Sequence, residues 1–158
     1  MINDLVRIWD KLVSTIEKAT VDNPTLKRRL GQETIKEVRD RTRKGLGVGK
    51  GKTDKLLKPL SDGYVFQRKT LRKSGKLSGE TTPSKSNFTK TGEALDTLTF
   101  KVTKDGVNVT PKDEKNKIKF KDQDKNEREV LKLTKEEEQK LTNLVADEIV
   151  KSLKNFKV

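Results

Sequence analysis

Cysteine and histidine are both absent from this chain of 158 residues. Without cysteine, the sequence excludes a disulfide framework, a cysteine-ligated zinc or iron–sulfur site and a thiol nucleophile. Without histidine, it excludes a Ser-His-Asp triad, a haem with a histidine ligand and a histidine proton shuttle. No apolar run approaches the roughly 20 residues that span a bilayer, and the first residues lack the basic start and apolar stretch of a secretory signal. We therefore expect a soluble protein, made in a reducing cytoplasm, with no membrane partner.

Large apolar residues are also scarce. Leu, Ile, Val and Phe together account for 41 of the 158 residues, about 26%, which stays above the roughly 20% below which disorder dominates. The length predicts a single domain over residues 1–158. Because so small a core cannot serve the whole chain, we expect a compact part, long polar segments and partner subunits that complete the burial.

Positive charge is abundant and lies mainly in the middle of the chain. The chain has 37 Lys and Arg against 24 Asp and Glu, a net charge of +13. Residues 45–90 hold 11 basic and 3 acidic side chains, together with seven of the ten glycines. A flexible basic stretch favours contact with a polyanion, most commonly a nucleic acid. The alternative is a solvated loop whose lysines only maintain solubility.

Apolar periodicity predicts two helices in residues 1–44. The first covers residues 3–20, where Trp9, Leu12 and Ile16 recur at helical spacing. We interpret Trp9 as an anchor in the core or in a subunit interface, with Leu12 and Ile16 beside it. The second helix runs over residues 24–44 and carries a glycine at position 31 that favours a kink or break. Its polar face is rich in arginine and is either a solvated, ion-paired face or an electropositive surface: Arg28, Arg29, Arg39, Arg41 and Arg43.

The remaining elements lie in residues 91–158. Alternating segments at 98–102 and 107–110, joined by a short Lys-Asp-Gly turn, predict a β-hairpin, and residues 118–120 offer a third strand. The segments at 111–117 and 122–126 are typical of polar loops. Thr134 and Glu137 form the capping box of a terminal helix. The sequence thus predicts an α+β fold: N-terminal helices, a small antiparallel sheet, a C-terminal helix and a long basic Gly/Lys-rich loop region over 45–90.

Two motifs that approach catalytic chemistry fall short of it. The run Gly-Leu-Gly-Val-Gly-Lys-Gly-Lys-Thr at 45–53 misses the phosphate-loop spacing by one residue and follows a charged, helix-like segment instead of a buried strand. The acidic pairs lie in polar loops or in a helix first turn, not in a pocket that would shift their pKa values. We therefore expect no catalysis, no cofactor and no metal.

The order of four short motifs is more informative than any one of them. Pro59-Leu60-Ser61, followed by Tyr64, leads into a basic run; then come Thr91-Gly92 with Leu95, the hairpin, and Arg128-x-x-Leu131-x-Leu133-Thr134 at the start of the last helix. This order resembles the tailed-bacteriophage virion morphogenesis, or tail-completion, family of neck and head–tail joining proteins. The resemblance covers roughly residues 40–155.

The resemblance implies a non-catalytic virion component located at the head–tail interface. It implies a homo-oligomeric ring that contacts other neck, portal-adaptor and tail proteins and through which double-stranded DNA passes without sequence recognition. Basic side chains of the central region are then candidates to face the DNA: Lys50, Lys52, Lys55, Lys58, Arg68, Lys69, Arg72 and Lys73. The alternative is a non-specific DNA- or RNA-binding protein of ribosomal or chromatin-associated type, whose binding would be strongly salt-dependent.

Overall fold

The computed structural model describes residues 2–76, 93–125 and 129–156. Within these residues the chain forms six α-helices and two separate antiparallel sheets of two strands each. The predicted α+β class is confirmed. Among the described helices, none combines the length and the apolar composition that a membrane-spanning helix requires.

The two N-terminal helices form as the periodicity predicts. Helix α1 spans Ile2–Ala19 and helix α2 spans Pro24–Arg43, with the side chain of Asn23 accepting a 2.9 Å hydrogen bond from the backbone N–H of Leu26. Helix α2 runs through Gly31 without a break. A Cβ atom at Gly31 would lie 2.5 Å from Cδ2 of Phe100. The glycine is therefore explained by the close approach of an aromatic ring, not by a kink.

The central segment is more ordered than a loop. Strands β1 (Leu46–Val48) and β2 (Asp54–Leu56) form an antiparallel hairpin whose tip is a 3₁₀ turn at Lys50–Lys52. Helix α3 (Asp62–Lys73) follows. The prediction of a long loop over 45–90 is therefore wrong for residues 45–76, whereas residues 77–92 lie outside the described residues. Each of these strands has only three residues, which is too few to show a recognisable alternation of apolar and polar side chains.

The predicted hairpin is confirmed, but the third strand is wrong. After the short helix α4 (Glu93–Asp96), strands β3 (Leu98–Val102) and β4 (Val107–Pro111) pair with Phe100 opposite Val109. Residues 118–120, predicted as a third strand, belong instead to helix α5, Glu114–Lys125. The helix also includes most of the flanking segments predicted as polar loops. The carboxylate of Asp113 accepts a 2.8 Å bond from the backbone N–H of Asn116 and so supports the start of this helix.

The core lies between α2, the β3–β4 hairpin, α4, α5 and the segment 129–133. Its buried side chains are Ile35, Val38, Leu57, Ala94, Leu95, Leu98, Phe120 and Val130. Phe120, only 2% exposed, lies one helical turn after the buried Asn116, which explains why residues 118–120 adopt the helical period. Helix α6 (Lys135–Lys154) packs along α2, and α1 packs against α6.

Candidate functional site

The exposed β1–β2 hairpin carries three of the candidate lysines. Lys50 and Lys52 lie in the turn at its tip and Lys55 lies in β2, and all three are exposed. Gly51 and Lys52 adopt positive φ values of 71° and 58°, in the left-handed region that side chains other than glycine rarely occupy. The tight reversal that results places lysines on both sides of one turn.

One of these lysines is engaged by an acidic partner. The ammonium group of Lys52 forms an ion pair with the carboxylate of Glu138 in the first turn of α6, and both side chains are largely exposed. This contact joins the hairpin tip to the N-terminal end of α6. Lys50 and Lys55 form no ion pair within the described parts of the chain. Their charges are therefore the ones that the hairpin offers to a polyanion.

Helix α3 separates the remaining candidates into exposed and buried groups. Lys69, Arg72 and Lys73 are exposed, as is Lys58 in the segment before the helix. Arg68 is only 2% exposed, and its guanidinium lies 6.0 Å from the centroid of the Tyr64 ring. Burial lowers the pKa of Arg68, an effect that the nearby Tyr64 partly offsets. Arg68 therefore does not present its charge to solvent.

The motif residues of the family resemblance serve structural purposes where they are described. Leu95 is buried in the core, and Leu131 and Leu133 pack against it. Thr134 caps α6 by accepting a 3.2 Å bond from the N–H of Glu137. Pro59 and Ser61 are exposed, Leu60 and Tyr64 are half-buried, and Ser61 occupies the cap position of α3. Thr91, Gly92 and Arg128 lie outside the described residues.

A buried network that the sequence analysis missed fixes the segment before α6. Arg41, assigned from sequence to the polar face of α2, is 5% exposed. Its Nη2 donates to the carbonyl oxygens of Val130 and Lys132, at 2.5 and 2.9 Å, while its Nη1 donates to the carboxylate of Glu137. No local signal distinguishes Arg41 from the neighbouring arginines, because its partners lie about 90 residues further along the chain.

Two other arginines of α2 also make contacts within the chain. Arg39 donates to the carbonyl oxygens of Leu95, at 2.9 Å, and Asp96, at 3.0 Å. Arg43 pairs with the carboxylate of Asp96 at 3.5 Å. Arg39 and Arg43 thus contact α4, whereas Arg28 and Arg29 are exposed. The acidic residues that pair with Arg41 and Arg43, Glu137 and Asp96, lie on α6 and α4, whereas the solvated, ion-paired alternative expects them on α2 itself.

Two contacts bring the strap formed by residues 129–133 against the β1–β2 hairpin. The N–H of Val48 donates to the carbonyl oxygen of Glu129 at 3.0 Å. A Cβ atom at Gly47 would lie 2.6 Å from that same oxygen, so only glycine permits this approach. The hairpin is thus attached to the body through strand β1 as well as by Lys52 at its tip.

The apolar residues singled out in α1 divide between two environments. Leu12 and Ile16 are half-buried, and Ala19 near the end of the helix is buried. Trp9 is 63% exposed, so its assignment to the core is wrong, whereas an interface with another subunit remains a prediction. The ammonium of Lys11 lies 5.6 Å above the ring of Phe156, which places the middle of α1 at the C-terminal end of α6.

The described residues contain no group of three or more acidic side chains able to hold a metal ion. The features that the described residues present are a basic hairpin, a basic helix and a polar network that fixes the strap on which the hairpin rests. Comparison with known proteins found no matching family model, no matching curated protein and no matching solved structure.

Proposed function

We propose that this chain is a structural subunit of the neck of a tailed bacteriophage. It acts as a tail-completion or head–tail connector protein that assembles as a ring through which double-stranded DNA passes. Its partners are further copies of itself and the neighbouring neck, portal-adaptor and tail proteins, and its location is the virion. The order of the Pro-Leu-Ser, Thr-Gly, hairpin and Arg-x-x-Leu-x-Leu-Thr segments supports this assignment.

The observation that carries the proposal is the exposed basic hairpin. Residues 45–76 contain nine basic and two acidic side chains. Lys50 and Lys55 are exposed on a hairpin that is held to the body through strand β1 and at its tip. Lysines held in this way attract phosphates whatever the base sequence, because the interaction is with the backbone charge of the nucleic acid. That property suits a channel through which a whole genome moves.

The use of the motif residues supports a structural role. Leu95, Leu131 and Leu133 pack in or against the core, and Thr134 starts a helix. None of these roles involves acid–base or nucleophilic chemistry, which fits a subunit that performs no catalytic step. The small core fits a protein that gains further burial from neighbouring subunits.

Purified virions of the phage that encodes the chain provide the test. Mass spectrometry of these particles should detect the protein in a fixed, multiple copy number, and electron microscopy of purified protein or isolated necks should show rings. Absence from purified particles would overturn the proposal. If absence were accompanied by salt-sensitive binding to DNA or RNA, the nucleic-acid-binding alternative would replace it.

A further inference from the structure

Helix α1 presents an apolar stripe with an acidic edge to solvent. Trp9 and Val13, which are 63% and 38% exposed, lie one helical turn apart, and the exposed Glu17 continues the row by another turn. The exposed Asp10 lies beside Trp9. The half-buried Leu12 and Ile16 lie on the neighbouring face of α1, and within the described residues Trp9 and Val13 stay exposed. An exposed tryptophan rimmed by charge is typical of a protein–protein contact.

Helix α3 presents an apolar residue with a basic edge. Phe66 is 73% exposed, and Lys69, Thr70 and Lys73 follow it at spacings of three, four and seven residues, which places all four on one helix face. All three of these neighbours are exposed. The opposite face of the helix contains the buried Arg68. Phe66 is therefore an outward-facing anchor beside two lysines.

Helix α1 lies near the C-terminal end of α6, whereas the β1–β2 hairpin, which precedes α3 in the chain, contacts its N-terminal end. Lys11 of α1 lies over Phe156, whereas Lys52, in the hairpin that precedes α3, pairs with Glu138. At a rise of 1.5 Å per residue, Glu138 and the last residue of α6, Lys154, are about 24 Å apart along the helix. Trp9 and Phe66 both remain largely exposed among the described residues, so each is available to a second molecule.

We propose that the stripe of α1 in one copy packs on the Phe66 face of α3 in the next copy. The charges are complementary, since Asp10 and Glu17 would meet Lys69 and Lys73. The lengths also agree, because the eight steps from Trp9 to Glu17 and the seven from Phe66 to Lys73 correspond to about 12 and about 10.5 Å of helix. This inference rests on the proposed ring and adds the surfaces that build it.

The contact joins two different surfaces and is therefore heterologous. Such contacts repeat from copy to copy and close into a ring when the rotation between copies permits. The basic side chains then divide into two groups: Lys69 and Lys73 bind the neighbouring subunit, while Lys50 and Lys55 remain for DNA. A symmetric contact between two α1 helices would instead stop at a dimer.

Mixing two variants tests the heterologous arrangement. Trp9→Ser removes the α1 surface and Phe66→Ser removes the α3 surface, and both side chains are largely exposed, so both variants should fold, as circular dichroism will verify. Light scattering after gel filtration should show each variant alone as a monomer and the mixture as a dimer, because one productive pair of surfaces is left. An F66S variant that assembles like the unaltered chain would overturn the proposal, as would an unaltered chain that remains monomeric.

Engineered cysteines give a second, independent readout, since the chain has none of its own. A mixture of Glu17→Cys and Lys73→Cys chains should form a disulfide-linked dimer on mild oxidation. Each variant alone should not, and neither should Glu17→Cys mixed with Lys36→Cys, whose position is exposed on α2. Equal cross-linking to both partners would overturn the contact.

The outcome separates this inference from the proposed function. A chain present in virion necks that fails to cross-link between positions 17 and 73 would overturn the contact and leave the function in place. A chain that forms the cross-linked assembly but is absent from virions would overturn the proposed function and leave the contact in place.

Discussion

Arg41 and Glu137, 96 positions apart in the chain, form a buried ion pair that joins α2 to α6. The carboxylate oxygen that receives the guanidinium also accepts a 2.8 Å bond from the N–H of Thr134, which completes the capping box. The same guanidinium binds two carbonyl oxygens of the strap, those of Val130 and Lys132. One side chain thus fixes the start of α6, the strap before it and, through the strap, strand β1 of the β1–β2 hairpin.

Replacement of Arg41 by alanine should destabilise the protein strongly. The variant leaves the carboxylate of Glu137 buried without a counter-charge, which typically costs about 3–5 kcal/mol. Urea denaturation followed by circular dichroism will measure the decrease in the free energy of unfolding. Glu138→Gln, which breaks the exposed pair with Lys52, is the matched control and should cost no more than about 1 kcal/mol. Similar decreases for both variants would contradict the assigned role of the buried pair.

Alanine at Gly31 should destabilise the protein although alanine favours helices. The added methyl group would overlap the ring of Phe100, and overpacking of this kind costs about 1–3 kcal/mol, which exceeds the roughly 1 kcal/mol gained in helix propensity. Thermal denaturation should therefore show a lower midpoint. Gly63→Ala in α3 is the control, because a Cβ atom there meets nothing within 4 Å, and it should leave the midpoint unchanged or raise it.

A second substitution distinguishes this clash from other effects at position 31. Phe100→Leu, combined with Gly31→Ala, should restore part of the stability that Gly31→Ala removes by itself. If the two destabilising effects simply add, the ring of Phe100 is not what excludes a side chain at position 31.

Asp124 should give the protein a pH-dependent stability. Although the side chain of Asp124 is exposed, partial desolvation of its carboxyl, together with the negative charge of Glu129, raises its pKa, while a hydrogen bond from the backbone of Val130 acts in the opposite direction. A raised pKa means that the folded state favours the protonated acid. The stability that Asp124 contributes is therefore present below the ordinary Asp pKa of about 3.9. It is lost as the pH rises through the pKa of Asp124 in the folded protein.

Asp124→Asn should therefore raise the thermal midpoint at neutral pH, and the difference should disappear as the pH falls below about 4. The amide oxygen retains an acceptor for the N–H of Val130. Asp147→Asn removes the same charge from an exposed site on α6 and controls for net charge. A constant difference between the Asp124 variant and the unaltered chain at all pH values would refute the assignment.

Removal of the hairpin lysines should weaken binding to DNA in a salt-dependent way. The slope of log affinity against log salt falls by about 0.9 for each phosphate that the protein no longer neutralises, so Lys50→Gln with Lys55→Gln should reduce it by about 2. Fluorescence anisotropy with duplexes of unrelated sequence will measure both the affinity and the slope. The control pair is Lys101→Gln with Lys115→Gln, which removes exposed charge from β3 and α5. An equal reduction of the slope in both double variants would assign the binding to net charge and not to the hairpin.

Local signals determined α1, α2, α6 and the β3–β4 hairpin. Helical periodicity, the Asn23 cap, the capping box at Thr134 and the turn between β3 and β4 act over a few residues, so the sequence alone predicts them. Residues 118–120, wrongly predicted as a third strand, show where local patterns do not decide the structure. Three alternating residues around Ile118 are compatible with either period, and the core selected the helix by burying Asn116 and Phe120 one turn apart.

The small number of apolar residues and the concentration of charge at 45–90 were likewise properties of the sequence. Tertiary structure decided which of the charged residues are exposed. Arg41 and Arg68 carry the same kind of basic side chain as their exposed neighbours, but the fold buries both of them. The β1–β2 hairpin is too short to persist by itself, and it forms because strand β1 bonds to Glu129 and the hairpin tip to Glu138. Contacts between residues about 80 positions or more apart carry no local signature, and here they determine where the positive charge is presented.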